Sequence, residues 1–181
     1  RNNFNASAAA ISGFSIFANE TVYLLDQKNN IDYKILNIFL KKNHKKKFLI
    51  FGFTSNIYIN LIKKIKIKKI DNKDFSNSFL IHGGGWKKIE EQKLDRKLFN
   101  SFLQKKLKID NVRNYYGLVE QIGSIFFECN CGYFIASNYS DVIIRDRNLD
   151  VCKNGETGLV QLLSLLPSSY PGNSILTEDI G

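Results

Sequence analysis

Asn114-Tyr115-Tyr116-Gly117-Leu118-Val119-Glu120-Gln121 places an aromatic ring, a glycine and a carboxylate within one short stretch. Upstream, His82-Gly83-Gly84-Gly85-Trp86 holds three consecutive glycines, which permit positive φ and let backbone approach a ligand closely. Downstream, Ile175-Leu176-Thr177-Glu178-Asp179-Ile180-Gly181 carries a Thr-x-Asp. The chemistry of these types converges on a nucleotide. The Tyr116 ring can stack on adenine, the Glu120 carboxylate can hold magnesium against phosphates, and Asp179 can accept hydrogen bonds from ribose hydroxyls. Each has a plainer role when taken alone: a strand-to-helix turn, a core tyrosine, a solvated glutamate at a helix start, a turn carboxylate. Read together, they look like a nucleotide site.

Positioning such residues needs a scaffold, and the pattern of the first 110 residues supplies one. Ile31–Lys42 has apolar residues near helical spacing. Phe48–Phe53 is a short continuous apolar run, expected as a strand buried on both faces. Ser55 reads as the N-cap of a helix over Ile57–Lys66. Phe79-Leu80-Ile81 is a second buried strand, ended by the glycines. Glu90–Lys106 reads as one amphipathic helix with Leu94, Leu98, Phe99, Phe102 and Leu103 inward, and Val112–Tyr115 as a third strand. Such alternation predicts an α/β fold, a parallel sheet with covering helices. Beyond Gly123 the texture changes. Ile125–Phe127, Tyr133–Ile135, Asp141–Arg145 and Leu159–Leu163 are strand-like and joined by Asn-, Asp- and Gly-containing turns, predicting an antiparallel β subregion. Tyr116 and Glu120 then fall just past a strand end, where open α/β sheets bind ligands.

The net charge of +9 is unevenly spread: residues 1–110 hold 22 Lys/Arg against 9 Asp/Glu, and residues 111–181 hold 4 against 8. The excess sits in short Lys-rich ends of apolar segments, at Lys41–Lys47 and Lys63–Lys69. No recognition motif accompanies it and Arg is scarce, so solvated surface is favoured over a nucleic-acid patch. No apolar run approaches the length of a bilayer span. Three cysteines make no disulfide scaffold, and a cytoplasmic location is the natural expectation. With no Met in the chain and its end inside the Thr-Glu-Asp-Ile-Gly segment, the sequence reads as an internal piece of a longer protein.

The ordered set Gly83–Gly85, Tyr116-Gly117-x-x-Glu120 and Asp179 resembles the adenylate-forming superfamily of acyl-activating enzymes. The wording from Tyr115 to Cys129 and from Leu163 to Gly172 resembles the LuxE-type acyl-protein synthetases. The resemblance is strongest from Phe79 to Gly181 and weak before Asp26. It implies that residues 1–181 are part of an adenylation domain, in the large N-terminal domain of such an enzyme, without the upstream phosphate loop and the C-terminal lid with its lysine, so these residues alone are expected to make no acyl-adenylate. It implies ATP and Mg2+, with Gly83, Gly84, Gly85, Tyr116, Gly117 and Asp179 binding ATP, Glu120 as catalytic and magnesium-holding residue, and His82 and Trp86 at the acyl pocket. The substrate implied is a carboxylic acid, a long-chain fatty acid in this branch. The acid is activated as acyl-adenylate, passed to a protein cysteine as a thioester and handed on to an acyl reductase partner. Val119 stands where many superfamily members carry Thr, which fits the LuxE branch. Lys153–Leu159 matches the family's Gly-Glu-x-Gly turn and is read as structural.

Other readings stay open beside this one. His-Gly-Gly-Gly is also oxyanion-hole wording in some hydrolases, but no Gly-x-Ser-x-Gly elbow occurs in the chain. A related ligase could activate another acid in surface polysaccharide or lipid biosynthesis. A non-catalytic basic interaction module would keep the fold and bind no nucleotide. Cys129, Cys131 and Cys152 have no nearby His and a spacing too short for a usual zinc site, and buried or bystander thiols are favoured. The family's acyl-accepting cysteine is expected in the C-terminal region, so the role is not carried onto these three.

Overall fold

The computed structural model describes residues 6–71, 75–121 and 123–181. They form two compact units, one up to Asn114 and one from Tyr115 onward. The first is α/β with a parallel strand pair, and the second is antiparallel β, as the residue patterns imply.

In the first unit, α1 (Ala6–Ser15) precedes α2 (Tyr33–Lys42). α2 starts where Asp32 accepts hydrogen bonds from the Lys34 and Ile35 N–H groups, and Lys41 and Lys42 lie at its C-terminal end, where positive charge suits the helix dipole. β1 (Phe48–Phe53) and β2 (Ser78–Gly83) pair in parallel, from Phe48 opposite Ser78 to Phe53 opposite Gly83. β3 (Asn111–Tyr116) follows in the order β1-β2-β3. Between β1 and β2 the chain makes the single turn α3 (Thr54–Ile57) and continues as a π-helix over Tyr58–Lys64. A 3-10 segment Lys87–Gln92 precedes α4 (Arg96–Leu107). The core comes from one face of each element: Leu36 and Leu40 of α2, Ile57, Leu61 and Ile62, Leu80 of β2, Phe99, Leu103 and Leu107 of α4, and Val112.

Several local expectations are corrected. Ser55 caps nothing: α3 begins at Thr54 without a side-chain cap, because the Thr54 hydroxyl is drawn to the end of β2. Glu90–Lys106 is not one helix. Lys93 leaves the helical region and Asp95 caps a new start, accepting from the Leu98 N–H at 2.9 Å. That restart rotates the inward face, so Phe99, Leu103 and Leu107 are buried while Leu98 and Phe102 are each 42% exposed. β1 is half-buried along most of its length rather than buried on both faces. The helix α1 was not read in the sequence at all.

In the second unit, Tyr115 and Tyr116 at the end of β3 pair antiparallel with Phe127 and Phe126 of β4 (Phe126–Glu128), which pairs in turn with β5 (Phe134–Ile135). A separate three-stranded antiparallel sheet orders β6 (Ser140–Arg145), β7 (Leu159–Ser164) and β8 (Ser174–Ile180). β7 buries alternate residues, with Val160, Leu162 and Ser164 inward. β8 carries Thr177 and Asp179.

Candidate functional site

The glycine loop lies at the end of β2, in the first unit. Gly84 and Gly85 have φ of 74° and 67°, a left-handed backbone that a β-carbon penalises. A Cβ on Gly84 would also fall 2.8 Å from a ring carbon of Phe53. The turn is fixed from below by Thr54, whose Oγ1 lies 3.1 Å from the Gly83 carbonyl and 2.9 Å from His82 Nδ1. The single hydroxyl proton goes to the carbonyl, so the oxygen accepts from His82 Nδ1–H and leaves Nε2 without a proton. His82 is 7% exposed and packs against Phe99 at 4.8 Å between ring centroids. Burial lowers its pKa from 6.5 to about 4, so the ring is neutral at neutral pH. Trp86, 8% exposed, packs edge-on against Tyr58 and Phe99. Both side chains belong to the packed interior that supports the loop.

Tyr116, Gly117, Glu120 and Asp179 lie in the second unit, and the structure brings the first and last into direct contact. The Tyr116 hydroxyl donates to Asp179 Oδ2 at 2.5 Å. Burial, then the bond to Asp179 and its charge, push the phenol pKa well up, with Glu120 adding to the rise, so Tyr116 remains a donor at any physiological pH. Among the described residues Asp179 Oδ1 has no hydrogen-bond partner, which leaves an oxygen on an exposed carboxylate to accept from a ligand. Thr177 braces the strand here, donating to the Val160 carbonyl at 2.9 Å and accepting from the Asp179 N–H at 3.1 Å. At Gly117 a Cβ would stand 3.1 Å from the Ser124 carbonyl, so close backbone approach accounts for glycine at that turn. Val119 is 57% exposed, and the Glu120 carboxylate is at the surface.

Two residues that sequence reasoning passed over hold this turn. Gln121 is fully buried. Its Nε2 donates to the Gly172 carbonyl at 2.9 Å and to the Leu162 carbonyl at 3.3 Å, while Oε1 has no partner among the described residues. The Tyr170 hydroxyl donates to the Glu120 carbonyl at 2.6 Å. The signal for Tyr170 lay in the Leu163–Gly172 wording. A glutamine beside a glutamate announced nothing.

A single exposed carboxylate fits magnesium, which keeps several waters and takes one or two carboxylates together with substrate phosphates. Among the described residues no group of three or more His, Cys, Asp or Glu could hold a metal ion. Among the described residues Cys129, Cys131 and Cys152 form no disulfide. Hydrogen bonding to the Tyr133 backbone leads the effects that hold Cys129 below the usual thiol range, and desolvation leads those that raise Cys152. No helix among the described residues is long and apolar enough to cross a membrane.

The family described as "Acyl-protein synthetase, LuxE" matches residues 1–181. The long-chain-fatty-acid–luciferin-component ligase of Aliivibrio fischeri is 28% identical over 164 residues, covering 86% of this chain and 42% of that protein. Among solved structures, MatB from Rhodopseudomonas palustris matches 94% of this chain and 34% of its own at 12% identity, with a TM-score of 0.58. The anthranilate CoA ligase AuaEII, in complex with anthranoyl-AMP, matches 84% and 30% at 11% identity, with a TM-score of 0.55. The chain thus spans less than half the length of the curated relative, and the structural likenesses establish the fold.

Proposed function

We propose, from the premise that this chain belongs to the LuxE family of acyl-protein synthetases, that the protein activates a long-chain carboxylic acid with ATP as the acyl-adenylate and passes the acyl group to a protein thiol. The observation that carries the reading is the Tyr116–Asp179 hydrogen bond. It couples a ring able to stack on adenine with a carboxylate whose second oxygen can accept from ribose hydroxyls, and it fixes both before the nucleotide arrives. Gly83, Gly84 and Gly85 would let backbone approach the nucleotide, and Gly117 would keep the Tyr116 turn tight. His82 and Trp86 would close the acyl pocket near the glycine loop.

The chemistry asks little nucleophilicity of the protein. A carboxylate oxygen of the acid attacks the α-phosphorus; the O–P bond forms as the bond to the β-phosphate oxygen breaks, and pyrophosphate leaves. Placement and charge neutralisation dominate such a step. Glu120 would hold magnesium, which supplies that neutralisation on the phosphates. A thiolate then attacks the acyl carbon, forming C–S as the C–O bond to AMP breaks. Long-chain specificity follows the Aliivibrio fischeri relative, which is named for a long-chain fatty acid. An acyl reductase is the proposed receiver, and the cytoplasm the proposed location.

The test is ATP–pyrophosphate exchange by the full-length parent protein across a panel of acids, with Glu120→Ala alongside. Exchange that needs a long-chain acid and falls roughly a hundredfold in the variant is the expected result. Exchange with short or polar acids alone would redirect the substrate toward another acid-activating ligase. No exchange with any acid in a folded, magnesium-replete protein would refute adenylation.

A further inference from the structure

Cys129 and Cys131 have no task in adenylation, yet they lie in the unit that carries Tyr116. β4 ends at Glu128 and β5 begins at Phe134. The loop between them is tightly closed. The Cys129 N–H donates to the Tyr133 carbonyl at 2.8 Å, and the Gly132 N–H donates to the Cys129 carbonyl at 3.0 Å. Gly132 completes the reversal with a φ of 93°, a conformation that a β-carbon penalises. Cys129 and Cys131 are thus the first and third residues of one β-turn. Cys131 is exposed and Cys129 half-buried, so neither is a core thiol.

The turn is folded around one sulfur. The Tyr133 N–H acts as a donor toward Cys129 Sγ, as do the N–H groups of Cys131 and Gly132, and the Cys131 thiol donates as well. Peptide dipoles aimed at a sulfur favour its thiolate, the form that attacks disulfides. Cys152 is the internal contrast: desolvation and the nearby Asp146 and Glu156 charges oppose its ionisation. Structural zinc takes a tetrahedral ligand set, and among the described residues no cluster supplies even three ligands. Two adjacent thiols without further ligands suit a bridge.

We propose that Cys129 and Cys131 are a modification site for small disulfides, which close a Cys129–Cys131 bridge across the turn. The steps balance. The Cys129 thiolate attacks one sulfur of the small disulfide; a new S–S bond forms, the old one breaks, and one small thiolate leaves. The Cys131 thiol loses its proton to solvent and attacks Cys129 Sγ, expelling the second small thiolate. The pair is oxidised by two electrons as the small disulfide is reduced to two thiols. Residues two apart in a β-turn lie within the Cα separation that a disulfide accepts, about 4.4–6.8 Å.

The turn's position gives the bridge a consequence. Phe126 and Phe134, on the two strands it joins, flank the Tyr116 ring at 6.2 and 6.1 Å. Phe134 pairs with Glu128, the residue before Cys129. Closing the bridge replaces the N–H donors on Cys129 Sγ and shifts the strand ends where Phe134 sits. This consequence rests on the adenylation reading, in which Tyr116 stacks on adenine: oxidation weakens ATP binding and reduction restores it.

The experiment equilibrates the full-length parent protein with oxidised glutathione, alkylates the remaining thiols and measures the mass of tryptic peptide 114–145, which contains Cys129 and Cys131 and no other cysteine. The expected product is lighter by two hydrogens. Cys131→Ser should stop earlier, with one glutathione on Cys129. Peptide 148–153, which bears Cys152, should stay largely reduced, and urea should erase the difference between the two peptides. Full alkylation of both thiols in the native protein would overturn the proposal, as would glutathione retained on Cys129 without a bridge, or oxidation of Cys152 ahead of the pair. With the bridge closed, the KM for ATP in pyrophosphate exchange should rise about threefold or more, reversibly with a dithiol reductant. Cys129→Ser combined with Cys131→Ser should show no such rise. An unchanged KM in bridged protein removes the coupling to Tyr116 and leaves the modification site. A bridge in protein that shows no acid-dependent exchange when reduced removes adenylation and leaves the site.

Discussion

The two units keep their candidate residues in place by different means. In the first, sixteen buried apolar residues make one cluster among the described residues, and the glycine loop is backbone held on top of it by Thr54 and His82. In the second, the corresponding cluster has three buried members, Phe126, Val160 and Leu162, and the turn bearing Glu120 is fixed by hydrogen bonds from Gln121 and Tyr170. Apolar burial is non-directional and scales with area, so the first unit should respond to changes of volume. Hydrogen bonds are directional and individually modest, so the second should lose geometry before it loses its fold.

The largest expected effect tests that contrast on the side of volume. Leu103 of α4 is fully buried, and Leu103→Ala should destabilise by about 2–5 kcal/mol through lost transfer energy and a residual cavity, read by urea denaturation. Next comes acid. Burial keeps the folded-state pKa of His82 at about 4 against 6.5. The unfolded chain therefore takes up a proton that the folded one refuses, and stability is full above pH about 6.5 and falls as the pH drops toward about 4, by on the order of 3 kcal/mol. His82→Asn should flatten that part of the pH profile while carboxylate titrations persist in both proteins. An unchanged slope would mean that His82 is more open than its packing indicates.

On the side of directional contacts the readout moves to chemistry. Glu120→Ala removes an exposed carboxylate and should leave the melting temperature near its original value, yet lower acid-dependent pyrophosphate exchange roughly a hundredfold. Equal loss of stability and exchange would erase the distinction between the units. Gln121→Leu is intermediate. It removes both donated bonds and leaves the Gly172 carbonyl without its side-chain partner, costing about 1–3 kcal/mol, and it should also raise the KM for ATP by loosening the turn.

The same contrast explains what was legible in the sequence. The strands of both units were readable because short apolar runs such as Phe48–Phe53 and strand-like stretches such as Leu159–Leu163 are local signals. Glu90–Lys106 was misread as one helix because apolar spacing continued through Lys93, where the backbone breaks and Asp95 restarts it. Ser55 was misread because the hydroxyl that mattered, on Thr54, answers to a residue 28 positions away. Tyr116 and Asp179 were legible as types in a known order, but the bond between them spans 63 positions.

The smallest expected effect bears on that long-range bond. Tyr116→Phe keeps the ring, with Phe126 and Phe134 as neighbours at 6.2 and 6.1 Å, and removes only the hydroxyl. Asp179 then loses a charge-assisted hydrogen bond with a net contribution of about 1.5–3 kcal/mol at most, and its carboxylate is free to swing. If the pair pre-sets the carboxylate for ribose, the KM for ATP should rise about tenfold with kcat nearly unchanged, the mark of lost uniform binding. Stacking should persist, so Tyr116→Ala must be distinctly worse than Tyr116→Phe. If the two variants bind ATP equally, the ring has no part in holding the base. If Tyr116→Phe matches the wild type, Asp179 is positioned by the Thr177 hydroxyl and β8 alone, and the second unit is more rigid than its few buried residues suggest.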